Sequence, residues 1–224
     1  MIKGIVFDFD GLIIDTESAW FEALGELYSE YDSVLPLETW IQCVGTSHEV
    51  FDPYLHLAEI ASRPVNVEDI RLIAADKHAR IMQERVLRPG VVDYLETAQK
   101  LGLKMGIASS SHLEWVERFV NKFNIAHYFS CIRTADYVKK VKPDPELYLQ
   151  ALAHLDLKPE EAIAFEDSPN GARAAHTAGL NVVIVPNEIT GALTFGPHVL
   201  RLHSMADQTL EEVIASVSSA KASQ

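Results

Sequence analysis

Residues 5–17 read IVFDFDGLIIDTE: an apolar run, two aspartates flanking one phenylalanine, then a glycine. The run over residues 2–8 does not alternate apolar with polar, so a strand buried on both faces is expected. In a regular strand, positions 8 and 10 would share one face. Two carboxylates would then crowd each other, so the chain must begin to turn here, and Gly11 eases that turn. Asp8 and Asp10 thus fall at the carboxyl end of a first buried strand.

Outward from this stretch, a helix is expected next, capped by Asp15, with Trp20, Leu24, Leu27 and Tyr31 on one stripe. The helical pattern continues to about residue 85. Asp52-Pro53 has the form of a cap and first helical position, and Asn66 can cap a helix carrying Ile70, Ile73, Ala74 and Ile81. At Arg88-Pro89-Gly90 the rhythm changes. A helix with Val92, Leu95, Ala98 and Leu101 ends at Gly102. Strands at 103–108, 131–134, 162–166 and 181–185 then alternate with helices at 112–123, 145–155 and 169–178. Such alternation predicts an α/β fold: a doubly wound, Rossmann-like parallel sheet with helices on both faces. The predicted organisation is a catalytic core from residues 1–15 and 86–224, with an all-helical cap domain inserted at 16–85. The small, polar tail SSAKASQ is expected to fray.

Bulk properties narrow the function. Of 224 residues, 48% are apolar and 23% charged, as in an ordinary water-soluble globular protein. The net charge of -13 disfavours nucleic acid and anionic membranes as partners. No apolar run approaches the length of a membrane span. Two distant cysteines, Cys43 and Cys131, are expected as free thiols. The pattern enters a strand at once without a secretory signal, so a cytoplasmic location is expected. The oligomeric state is open, and a monomer is compatible with the sequence.

Open parallel sheets bind ligands beyond the carboxyl ends of their strands. Four predicted strand ends or following loops carry polar groups: Asp8 to Gly11, Ala108-Ser109-Ser110-Ser111, Lys142-Pro143-Asp144-Pro145, and Glu166-Asp167-Ser168. Clustered carboxylates repel one another unless a cation sits among them. Hard oxygen ligands without His or Cys favour Mg²⁺, which takes one or two carboxylates plus a phosphate. A lysine and serine hydroxyls can hold the same phosphoryl group. Asp8 could attack phosphorus as a carboxylate nucleophile, and Asp10 could exchange a proton with the leaving oxygen and with water. Ser111 with Glu114, and Ser168 before Pro169, have the form of helix caps and are expected to be structural.

The motifs DFDGLIIDTE, ASSS, KPDPELY and AFEDSPNG resemble, in order and spacing, the four motifs of the haloacid-dehalogenase-like hydrolases. The likeness is greatest to the phosphatase and beta-phosphoglucomutase-like branch, whose helical cap follows the first motif. It implies Asp8 as nucleophile and Mg²⁺ ligand. Asp10 becomes general acid/base, with its backbone carbonyl on the metal. Ser109 and the Ser110 amide would hold the phosphoryl group, and Lys142 would bridge that group and Asp8. Glu166 and Asp167 would complete the metal site. The cap would close over a small phosphorylated metabolite.

Dehalogenases of this fold lack the second aspartate of the first motif, so Asp10 argues for phosphoryl transfer. Sugar phosphomutases of the branch carry a histidine on the first cap helix and an arginine in a cap loop. At those positions this chain has Trp20 and, in VGTSHE, His48. Histidine is a poor substitute for a bidentate arginine, so hydrolysis is favoured over the mutase reaction. Thr16 and His112 are further substrate candidates at the presumed mouth, and Trp20 also fits a plain core position. The remaining histidines, His78 among them, show no metal-ligand spacing and are expected as surface or satisfied core groups. A phospho-accepting signalling module shares the sheet and the acids but lacks a long helical insert after its first strand.

Overall fold

The structure, a computed structural model, describes residues 1–41 and 51–222. His48 and Cys43 lie outside the described residues. The chain opens with β1 (Gly4–Phe7), then α1 (Thr16–Ser29), α2 (Leu37–Trp40), α3 (Pro53–Ile60) and α4 (Val67–Glu84). After these come α5 (Val91–Lys100), β2 (Lys104–Ala108), α6 (Leu113–Lys122), β3 (Cys131–Arg133) and α7 (Glu146–Leu155). The last elements are β4 (Ala162–Glu166), α8 (Pro169–Thr177), β5 (Asn181–Ile184), β6 (Leu200–Arg201) and α9 (Leu210–Ala222).

The strands form one sheet in the order β3-β2-β1-β4-β5-β6, and every pairing is parallel. The order reverses direction at β1 and β4, which are neighbours although two strands separate them in sequence. Crossovers leave to opposite sides here, so a crevice opens at the carboxyl ends of these two strands.

Side-chain alternation sorts the core into two layers. Ile5, Phe7, Ile163 and Phe165 face a cluster built from α5, α6 and α9. Val6, Ala108, Ala162 and Ala164 face α7 and α8. In register, Phe7 stands opposite both Ile107 and Phe165, so Asp8 follows beside Ala108 and Glu166. The Asp8 amide still donates to the Phe165 carbonyl at 3.0 Å. The second layer is therefore lined by alanines along β4 and ends in two acids on one face.

Helices α1 to α4 have an apolar cluster of their own, with Leu24, Leu27, Tyr28, Trp40, Leu57 and Ile70 buried. Asp15 caps α1 through the Ser18 amide, Asp52 caps α3 through Tyr54 and Leu55, and Asn66 caps α4 through Glu68. All three caps agree with the sequence. The stripes are less exact, since Ile73, Val92 and Leu101 are exposed.

Two elements differ from expectation. β6 extends the sheet at its edge, and α9 covers the first layer. The tail thus stays helical to Ala222. Leu210, Val213 and Val217 anchor α9, and Thr209 and Glu212 exchange hydrogen bonds as a capping box. Leu210 is 1% exposed, so Leu210→Ala should cost about 2–5 kcal/mol in a urea unfolding titration. A change below about 0.5 kcal/mol would show that α9 adds little to the core.

Candidate active site

Gly11 adopts φ 78°, and three successive amides, from Leu12 to Ile14, donate to the Phe9 carbonyl. This tight loop turns Asp10 away from the strand direction while Asp8 keeps it. A side chain at Gly11 would lie 2.1 Å from Asp167 Oδ2, so the loop hugs that acid. Gly171, at the start of α8, clears the same kind of space for Glu166.

Asp8, Glu166 and Asp167 converge, with one carboxylate oxygen from each within 4.8 Å of the others. Lys142 reaches them from the loop before α7. Its Nζ donates to Asp8 Oδ1, and to Glu166 Oε1 at 2.6 Å. Only 6% of the Lys142 side chain is exposed. Burial alone would discharge it, but the charges of Asp8 and Glu166 raise its pKa, and it stays an ammonium. Burial also lifts the Asp8 carboxyl above its usual range, against the pull of Lys142. Glu166 is pushed up to about 7 by burial and then by the Asp8 charge. Asp167 is raised well above its usual value by burial, then by Asp8 and Glu166.

One lysine among three buried carboxylates leaves negative charge uncompensated. A divalent cation with oxygen preference fits that donor set, and Mg²⁺ is such a cation. The acids differ in how open they are to a metal. Glu166 Oε1 is taken by Lys142 and by the Tyr148 hydroxyl at 2.5 Å, and Oε2 accepts from Ser168. Asp167 Oδ2 accepts from the Asn187 amide at 2.8 Å.

Asp10 has a separate set of partners. Its Oδ2 accepts from the Ser109 hydroxyl at 3.1 Å and the Ser111 hydroxyl at 2.8 Å. Its Oδ1 accepts from the Trp115 indole at 2.8 Å. Ser111 therefore does not cap α6, contrary to the sequence reading. The Asp136 carboxylate takes that place, accepting from the Leu113 amide at 2.7 Å. Ser168 does cap α8, through the Gly171 amide.

Asp8, Asp10, Lys142, Asp167, Ser111 and Trp115 line a cleft of about 820 Å³ between the sheet and the inserted helices. Ser110, Thr16, Trp20 and His112 also line it. Ser109 is wholly buried beneath, whereas Ser110 is exposed. The Thr16 hydroxyl is buried without a partner among the described residues. Trp20 stacks on His78, with centroids 3.9 Å apart and planes 8° apart, and His78 faces Trp115 at 5.7 Å. His78 overturns its expectation: it is buried, but its Nε2 has no partner among the described residues. The sequence reading also missed Tyr148, Asn187 and Arg88. Arg88 donates to the carbonyls of Gly11, Val185 and Pro186, and so ties the first loop to the end of β5.

A doubly wound sheet with buried acids and a lysine at its switch point, beneath helices α1 to α4, has the form of an enzyme site. The chain belongs to the haloacid dehalogenase-like hydrolases, whose family pattern it matches over residues 5–185. It is 45% identical over 210 residues to a Bacillus subtilis (strain 168) protein named "Putative phosphatase YhcW", covering 94% of this chain and 95% of that one. It is 28% identical to the phosphorylated carbohydrates phosphatase of Thermotoga maritima, over 95% of this chain and 97% of that protein. The crystal structure of CbbY from Rhodobacter sphaeroides in complex with phosphate superimposes with a TM-score of 0.74. Identity there is 28%, covering 97% of this chain and all of that one.

The His78 pKa falls to about 4, mainly because burial disfavours the imidazolium and secondarily because Arg85 is near. The fold holds the neutral ring. Stability from this group is full above pH 6.5 and is lost as the pH falls through 4. Between pH ~7 and ~4.5, unfolding free energy should drop about 2 kcal/mol more for the wild type than for His78→Phe. Equal pH slopes for the two proteins would contradict this.

Proposed function

We propose that this chain is a Mg²⁺-dependent phosphatase of a small phosphorylated sugar or related metabolite, acting through an aspartyl-phosphate on Asp8. The observation that carries the reading is the convergence of Asp8, Glu166 and Asp167, with Lys142 bridging the first two. The names of relatives that act on phosphate esters support the substrate class.

Lys142 pulls Asp8 toward its ionised form and holds Oδ1, so the carboxylate is aimed rather than free to rotate. Asp8 attacks phosphorus, and the bond from phosphorus to the leaving oxygen breaks. Asp10 gives its proton to that oxygen, so the leaving group departs as an alcohol. The Asp10 carboxylate then takes a proton from water as the water oxygen bonds to phosphorus. The bond from Asp8 to phosphorus breaks, and inorganic phosphate leaves. Ser109 and the Ser110 amide hold the phosphoryl oxygens. Mg²⁺, held by Asp8 and Asp167 with the Asp10 carbonyl and the charge of Glu166, would offset the negative charge gathered there. Glu166 also steers Lys142, since both of its oxygens already accept protein hydrogen bonds. The inserted helices, with Thr16 and Trp20 on the first of them, act as the cap over the leaving group, and His112 faces them from the core.

Hydrolysis is favoured over a mutase reaction by the cations available. Among the described residues lining the cleft, Lys142 is the one lysine or arginine. The stretch QCVGTSHEV, residues 42–50, contains neither. A second phosphate would have no guanidinium to grip it. A panel of phosphorylated metabolites should therefore yield free phosphate in a reaction that chelation abolishes and Mg²⁺ restores. Asp8→Asn should lower kcat more than about 10⁴-fold and abolish acid-stable labelling of the protein by phosphate. Normal turnover by that folded variant would sink the reading. Isomerised sugar phosphate in place of free phosphate would convert it to the mutase.

A further inference from the structure

The indole of Trp115 meets Asp10 in a way that the acid's chemistry turns into a choice. A neutral carboxyl has one oxygen that bears the proton and one that only accepts. An indole N–H donates and cannot accept. The oxygen it holds, Oδ1, is therefore the accepting one whenever Asp10 is neutral. Ser109 and Ser111 sit at the other oxygen, and a hydroxyl can donate or accept. The acid proton is left to Oδ2.

We propose that Trp115 is a positioning residue for Asp10: it fixes Oδ1 as acceptor and so delivers the acid proton from Oδ2, on the side of Ser109. This rests on the reading of Asp10 as general acid. The proton passes from Oδ2 to the leaving-group oxygen, and Asp10 remains as carboxylate with Oδ1 still on the indole. When a phosphoryl group takes the Ser109 hydroxyl, the indole bond persists, because it lies on the other oxygen.

The ring itself is held from two sides. Phe119, one turn further along α6, packs against it at 4.7 Å with planes 65° apart. His78 of α4 faces it at 5.7 Å, and behind His78 lies Trp20 of α1. The bond to Asp10 thus depends on a stack that runs from the sheet layer into the inserted helices.

Leaving-group dependence separates positioning from a structural role. An alkyl phosphate needs a proton on its departing oxygen, whereas p-nitrophenolate leaves without one. The quantity to compare is kcat/KM, which covers steps up to leaving-group release and excludes hydrolysis of the aspartyl-phosphate. Trp115→Phe keeps the ring and removes the donor. It should lower kcat/KM for a sugar phosphate about 10–100-fold and change that for p-nitrophenyl phosphate by less than about 3-fold. The ratio of the two, taken on one preparation, cancels any loss of folded enzyme. In Trp115→His the ring Nε2 overlays the indole Nε1, so the ratio should recover in part. A ratio unchanged in Trp115→Phe overturns the inference, as does an equal loss for both substrates. Asp10→Asn serves as reference. If it discriminates between the substrates and Trp115→Phe does not, the inference fails while the acid role of Asp10 stands. If neither discriminates, the acid role fails and takes the inference with it.

Discussion

Lys142 between Asp8 and Glu166 is the interaction on which the site depends. Its ammonium lies between acids on adjacent strands of a sheet, almost wholly out of water. A buried ion cluster of this kind contributes little net stability, yet removing one partner leaves an unpaired charge at a cost of about 3–5 kcal/mol. Each member therefore requires the others. Lysine pulls Asp8 toward its ionised form against burial, and Glu166 holds the lysine. Tyr148 donates to the same Glu166 oxygen as the lysine, and Ser168 donates to the other. The Asp8 carboxylate is set by this chain of donors rather than by its own position alone.

Space for so much polarity at a sheet edge has to be made. The residues that make it are small: Ala108 beside Asp8, Ala162 and Ala164 beneath Glu166, Gly11 against Asp167, and Gly171 against Glu166. The same face of β4 that packs α7 and α8 through alanines ends in the glutamate. Parallel register brings Asp8 and Glu166 side by side, because Phe7 pairs with Phe165 one residue earlier. No loop is needed to bring the two acids together. Topology does it, and the loop after Asp10 serves only to separate the second aspartate from the first.

The strands and their polar ends were legible because a buried parallel strand is a continuous apolar run, and the runs of β1, β2 and β4 stop at Asp8, Ser109 and Glu166. The caps at Asp15, Asp52 and Asn66 were legible because capping is local chemistry. The capping box at Thr209 and Glu212 was equally local, and it signalled α9 beside an apolar stripe of Leu210, Val213 and Val217. Reading the tail by its composition obscured that. Ser111 failed for the opposite reason. A hydroxyl three residues before a glutamate matches a cap, but Asp136 fills the cap from another loop, and no local pattern announces a competitor so far away in sequence. Trp115, Tyr148, Asn187 and Arg88 were hidden in the same way. Each donates to an acceptor at least 18 residues off, so its role exists only once the sheet is assembled.

Asp10 shows how such long-range donors divide the work of the two aspartates. Asp8 is gripped by a cation, which favours the charged form that the proposed nucleophile needs. Among the described residues Asp10 meets no cation as a hydrogen-bond partner, only two hydroxyls and an indole. Neutral donors can serve both the charged and the protonated carboxyl, whereas an ammonium would hold it ionised. A group that must carry a proton in one half of a reaction and accept one in the other needs partners of this neutral kind. The contrast between Lys142 on Asp8 and Trp115 on Asp10 is therefore a contrast of function. It arises because the turn at Gly11 carries Asp10 to the side of α6, while Asp8 stays on the face of α7.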